Sequence, residues 1–112
     1  MTEDGKKYLA DILMAIDLIE DFTRDVTDFD SYDKDLKTQS ATERQLVIIG
    51  EALSKLKRVA PVLNISNEIH IIAFRNRLVH AYDNIDNAIV WMVIKKHLPT
   101  LKNEILEKYQ ER

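Results

Sequence analysis

The chain contains no cysteine, which removes disulfides, cysteine-ligated zinc and thiol nucleophiles from its chemistry. Glycine and proline occur only twice each. That is too few for the tight turns of a sheet protein, and it points to long uninterrupted helices. No apolar stretch approaches the roughly 20 residues that cross a bilayer. The first residues, Met1-Thr2-Glu3-Asp4-Gly5-Lys6-Lys7-Tyr8, are polar, and no apolar run follows a basic segment as in a secretory signal. The expectation is a cytoplasmic chain with no membrane partner. An excess of positive charge is also missing: 16 Lys and Arg stand against 19 Asp and Glu, a formal net charge of -3. Proteins that hold nucleic acid by bulk charge are usually basic. Contact with a polyanion must here be local or brief, which suits a nuclease better than a packaging protein.

What is present is enough apolar material for a core. Hydrophobic residues make up 46% of 112, so the chain reads as one folded domain over residues 1–112. A domain this small gains from further burial in an oligomer. Leu9, Ile12, Leu13, Ile16, Ile19, Phe22 and Val26 recur at spacings of three and four, predicting an amphipathic helix from about Glu3 to Thr27. Asp28-Phe29-Asp30-Ser31-Tyr32-Asp33 is a loop by composition. Ser40-Ala41-Thr42-Glu43 matches a capping box, although Asp35 offers an earlier start for the second helix. That helix carries Leu46, Ile49, Leu53 and Leu56, and Val47 and Ile48 widen the stripe enough to need cover on two sides. Gly50 in its middle costs about 1 kcal/mol relative to alanine, which a close backbone crossing would explain. The helix ends before Pro61.

Asn64-Ile65-Ser66-Asn67 supplies candidate N-caps for a third helix from about Asn67 to Ala81. Asp83–Asn87 interrupts the pattern. A fourth helix follows with Ile89, Val90, Val93 and Ile94, and Pro99 suits the first position of a last one carrying Leu101, Ile105, Leu106 and Tyr109. No repeat or low-complexity segment is present. The fold class is all-α, a bundle of four or five helices.

The third helix concentrates the chemistry. Arg75-Asn76-Arg77-Leu78-Val79-His80-Ala81-Tyr82 places two guanidinium groups, an amide, an imidazole and a phenol within just over two turns. Asn76 and His80, four apart, share a helix face. Arg75 and His80 are five apart and diverge by about 140° at 100° per residue. They converge only if the helix bends or ends near Ala81, or if a twofold partner supplies one of them. Histidine can take or give a proton near neutrality. Arginine's fork matches phosphate oxygens and would stabilise the charge of a pentacoordinate transition state. Such a set can cut RNA through its 2′-hydroxyl, leaving a 2′,3′-cyclic phosphate and a 5′-hydroxyl. The same spacing also describes an ordinary amphipathic helix with a solvated face.

The pattern as a whole resembles the HEPN superfamily, specifically the HepT-like toxins. Arg75, four residues, His80, one residue and Tyr82 match the family's R-x4-H-x-Y signature. Phe74-Arg75-Asn76, Ile85-Asp86 and Val90-Trp91 flank it as in the family. Ile48-Ile49-Gly50-Glu51-Ala52 looks like the family's second-helix segment, and Leu98-Pro99-x-Leu101 resembles its last turn. The resemblance implies a HEPN-type bundle that dimerises through the motif helices. It implies a metal-independent, cofactor-free endoribonuclease, the toxin of a type II/VII toxin–antitoxin pair. Arg75 and His80 would be catalytic, with Asn76 supporting. It implies RNA as substrate, a homodimer, and an MntA-like nucleotidyltransferase antitoxin that adds AMP to Tyr82. A phosphate on that phenol would put bulk and negative charge where RNA must bind; without modification, Tyr82 reads as an amphipathic residue bounding the core. The competing expectation is a non-catalytic helical partner of a nucleotidyltransferase.

The remaining candidates read more quietly. His70 and His97 are surface or boundary residues. Asp83 and Asp86 serve as cap and loop solvation rather than as metal ligands. Glu51 is either an interface or supporting group or a plain surface residue, and Arg44 pairs with an acidic neighbour or touches RNA. Trp91 packs in the core or a dimer interface. Lys95, Lys96, Lys102 and Lys108 form a solvated face.

Overall fold

The computed structural model describes residues 2–110, and at Tyr82 the backbone only. The described chain is all-α. α1 (Glu3–Phe22), α2 (Phe29–Lys34), α3 (Leu36–Val59) and α4 (Glu68–His80) are followed by a 3-10 turn (Tyr82–Asn84). α5 (Asn87–Met92), a π turn (Val93–His97) and α6 (Leu98–Gln110) then run on without leaving the right-handed helical region at Val93 or Leu98. α3 is the spine. Its 24 residues span about 36 Å at 1.5 Å each, most of the 43 Å long axis of the molecule.

α1 packs against both α3 and α6, and α4 packs against α3. Leu9, Ile12, Ile16 and Ile19 of α1 meet Leu46, Ile49, Leu53 and Leu56 of α3 and Leu98, Leu101 and Ile105 of α6, all buried. The breadth of the α3 stripe is thereby explained: Val47 and Ile48 also pack against the core from its edges.

Several boundaries differ from expectation, each for a local reason. α1 ends at Phe22, short of Thr27. Its last turn has no basic residue to meet the negative end of the helix dipole, and the Thr23 hydroxyl donates to the Ile19 carbonyl at 2.8 Å. Val26 still reaches the core from the turn beyond. The expected loop at Asp28–Asp33 contains α2. Asp28 accepts the Ser31 backbone N–H at 2.8 Å, and the short helix buries Tyr32, whose ring lies 5.4 Å from that of Trp91. α3 starts at Leu36, where Asp35 accepts from the Thr38 backbone N–H at 3.0 Å and from its hydroxyl at 2.6 Å. The Ser40–Glu43 box lies inside the helix.

Asn67 holds the N-cap position of α4 in the left-handed region, φ 62°, with no side-chain cap bond. Pro99 does not open a separate helix. The π turn, closed by the Leu98 N–H to the Val93 carbonyl, widens the coil ahead of a residue that lacks an N–H and crowds the preceding turn. Among the described residues no helix is long and apolar enough to cross a membrane.

Candidate active site

α4 touches the rest of the molecule along one narrow strip. Leu78 is buried there, with Ile71 and Phe74 partly covered against the core. The opposite side carries Ile69, Asn76 and His80, within about 40° of one another at 100° per residue, and all three are exposed. Ile69 is 64% exposed, so this outer face carries an apolar residue as well as polar ones. Arg75 and Arg77 fall on the two flanks.

Arg75 is placed by a glycine on the neighbouring helix. A Cβ on Gly50 would stand 2.2 Å from the Arg75 Cβ and 2.6 Å from its Cγ, far inside the normal carbon contact of about 3.5–4.0 Å. Only a bare backbone lets α3 and α4 cross at this point. The crossing expected at Gly50 is therefore real, and what crosses is the motif arginine. Its Nη2 donates to Glu51 Oε1 at 2.9 Å, and its Nη1 donates to Asn76 Oδ1 at 2.9 Å. The Arg75 Nε is buried with no hydrogen-bond partner among the described residues. The Arg75 side chain is 25% exposed and that of Glu51 45%. A guanidinium so far withdrawn from water needs a counter-charge, and Glu51 provides it while leaving one side of the pair open to solvent.

Asn76 joins two faces. It accepts from Arg75 on the flank and sits four residues before His80 on the outer face. His80 is the last residue of α4, exposed, and makes no side-chain hydrogen bond among the described residues; Ala81 leaves the helix at φ -138°. The helix thus ends at the expected place, yet within one chain Arg75 lies against α3 and His80 points outward. Of Tyr82, the backbone opens the 3-10 turn directly after this site; its side chain is outside the described residues.

Arg75 and Asn76 open onto a cleft of about 370 Å³ between α3 and α4, which Lys55 and Arg58 also line. Sequence reading missed this pair and left Glu51 undecided. The signal was available in the four-residue spacing of Gly50, Ser54 and Arg58 along one α3 face, but nothing in the sequence says that this face meets α4. The quieter residues fall mostly as read. Arg44 is exposed with no ion pair among the described residues. His70 and His97 are exposed, on the rim of a second groove floored by Phe74, Ile89 and Val93. Asp86 caps α5 by accepting the Ala88 N–H at 2.9 Å. Trp91 packs on Tyr32. Lys102 is half-exposed and paired with Glu20 at 2.6 Å and Asp17 at 3.4 Å.

The sequence as a whole has counterparts among known proteins. A family model described as ribonuclease HepT-like matches residues 12–107. "Probable ribonuclease HepT" of Thermococcus cleftensis is 38% identical over 93% of this chain and 94% of its own length. A Methanocaldococcus jannaschii protein named "Putative RNase MJ0127" is 35% identical over 94% of this chain and 87% of itself. A second protein of that organism, "Gamma-glutamylcyclotransferase and putative RNase MJ0434", is 36% identical over 99% of this chain, which spans half of its length. No solved structure matches the chain. An all-α bundle that carries the R-x4-H pair on one helix, and aligns with these relatives over nearly its whole length, belongs to the HepT-like ribonuclease family.

Proposed function

We propose that this ribonuclease is a metal-independent endoribonuclease working as a homodimer, with residues 1–112 as one HEPN domain and the toxin half of a toxin–antitoxin pair. One observation carries the reading: Arg75 is seated in the Gly50 notch and tied through Asn76 to the open face that bears His80. Pairing two α4 helices through that face would bury Ile69 and gather two Arg75–Asn76–His80 sets around one cleft. The divergence of Arg75 and His80 on a single helix then ceases to matter, because the groups that act together come from both chains.

In this reading the ribose 2′-oxygen attacks the adjacent phosphorus while an imidazole of His80 takes its proton. The bond to the 5′-oxygen breaks, and that oxygen leaves with a proton from an imidazolium or water. A 2′,3′-cyclic phosphate and a 5′-hydroxyl result. Arg75 donates to the non-bridging oxygens, whose charge grows in the transition state, and Glu51 holds the guanidinium in place. Control falls to Tyr82. An MntA-like nucleotidyltransferase joins the phenol oxygen to the α-phosphorus of ATP and releases pyrophosphate. The attached AMP is a bulky anion two residues past the helix end, and it repels the RNA backbone.

The purified protein is expected to cut RNA at an undiminished rate in EDTA. Arg75→Ala and His80→Ala should each lose activity by at least about 100-fold, the lower range for losing an acid–base or charge-stabilising group, with unchanged circular dichroism. Full activity in either folded variant would remove that residue from the mechanism. For the control step, intact-mass measurement after co-expression with the nucleotidyltransferase should show AMP-sized additions that vanish in Tyr82→Phe. Additions that persist in that variant place the modification elsewhere.

A further inference from the structure

The cleft beside Arg75 continues along α3. Gly50 to Arg58 is two helical turns, about 12 Å. Gly50, Ser54 and Arg58 line one wall together with Lys55, and Arg75 and Asn76 line the other. Three cations therefore border one cleft of about 370 Å³ on a chain whose formal net charge is -3. Their electrostatic states differ. Arg75 is neutralised by Glu51 at 2.9 Å. Lys55 and Arg58 are exposed and form no ion pair among the described residues, whereas Lys7 holds Asp11 at 3.0 Å and Lys102 holds Glu20 at 2.6 Å. The cleft's uncompensated positive charge thus belongs to Lys55 and Arg58 and not to the motif arginine.

Their surroundings leave both groups able to bind. The Lys55 ammonium stands 5.9 Å from the centroid of the Tyr8 ring, at the outer limit of a cation–π contact of about 6 Å, so its three donors remain free. Arg58 presents a planar fork suited to phosphate oxygens, and the Ser54 hydroxyl between it and Gly50 adds a neutral donor. A row of anions spaced along a flexible strand fits such a track; a lone carboxylate would use only part of it.

The geometry points to Lys55 and Arg58 as a phosphate-binding subsite for single-stranded RNA, holding the strand next to the phosphate that is cut at Arg75. This rests on the ribonuclease reading of Arg75 and His80. It resolves how an acidic protein engages a polyanion: the attraction comes from two unpaired cations beside the site, and the reacting arginine contributes little to it because Glu51 already offsets its charge. Contacts of this kind position a strand without reading its bases. Lys55 and Arg58 therefore set affinity rather than sequence preference.

The test uses the full chain and a fluorescent 2′-O-methyl oligoribonucleotide, which lacks the nucleophile and cannot be cut by this route. In anisotropy titrations, Lys55→Gln/Arg58→Gln should weaken binding at least tenfold at low salt. It should also flatten the plot of log K against log salt by about 1.4, from about 0.7 per single-strand phosphate contact. Lys95→Gln/Lys96→Gln, on the π turn and outside the lining of this cleft, should leave both quantities unchanged. With a cleavable strand, the Lys55/Arg58 variant should raise KM and keep kcat within about twofold, because neither side chain acts on the cut phosphate. Lys55→Arg/Arg58→Lys, which keeps both charges, should restore the salt slope. Wild-type affinity and slope in the doubly neutralised protein overturn the subsite. Binding is read on an uncleavable strand, so this result stands apart from whether Arg75 and His80 cut RNA, which the Arg75→Ala and His80→Ala variants decide.

Discussion

At the scale of single residues, the site depends on an atom that is absent. Gly50 carries no Cβ, and the space it leaves is filled by the Cβ and Cγ of Arg75. Gly50→Ala is therefore expected to push α4 away from α3 at the motif arginine. Overpacking of this kind typically costs about 1–3 kcal/mol, to be seen as a lower midpoint in thermal or urea unfolding. Cleavage should fall further than the lost stability explains, because the displaced guanidinium no longer meets Glu51. Truncating Arg75 to alanine in the same protein should not relieve the clash, since the Arg75 Cβ is the nearest atom. A Gly50→Ala protein with wild-type stability and turnover would show that the crossing has slack. Glu51 and Asn76 are the other half of the arrangement: they take one donor each from the guanidinium and set its plane.

At the scale of elements, helix starts are governed by short-range hydrogen bonds that sequence offers in more than one place. Ser40–Glu43 had the pattern of a capping box, yet Asp35 won because it captures both the backbone N–H and the hydroxyl of Thr38 and adds a turn to α3. Its carboxyl is held below the usual carboxylate range, first by the Thr38 hydroxyl and then by the Thr38 backbone N–H. A folded-state value lowered in this way stabilises the protein above the ordinary carboxylate range, and the gain is lost as pH falls through the depressed value. Asp35→Ala should therefore lower the melting temperature at pH 7, and the gap to the wild type should close as the solution is acidified. A gap that stays constant with pH would mean that the charge at Asp35 contributes nothing. α2 makes the complementary case. Its residues are turn formers, and what makes them helical is the burial of one side chain, Tyr32, against Trp91, a partner 59 positions away in the chain.

At the scale of the whole molecule, the notable surface is the outer side of α4. The helix buries only Leu78 and leaves Ile69 and Val79 exposed. Its packing strip faces α3, and its open strip carries Asn76 and His80. If two copies close over it, Ile69→Glu should convert a dimer to a monomer in sedimentation equilibrium and abolish cleavage, while circular dichroism stays unchanged. A dimer that survives the substitution would place the interface elsewhere.

The sequence by itself determined the helical class, the α1, α3 and α6 stripes and the R-x4-H-x-Y motif. These are local periodicities and spacings, and they repeat within a few turns. It also flagged Gly50 as a crossing, since a mid-helix glycine has a cost that packing must repay. Tertiary structure alone decided that the crossing residue is Arg75, that Glu51 neutralises it, and that Lys55 and Arg58 share its cleft. The residues of that site lie on two helices, and those of one are more than 15 positions from those of the other. Which faces of α3 and α4 meet is settled by the packing of the whole core, a property that no local pattern encodes.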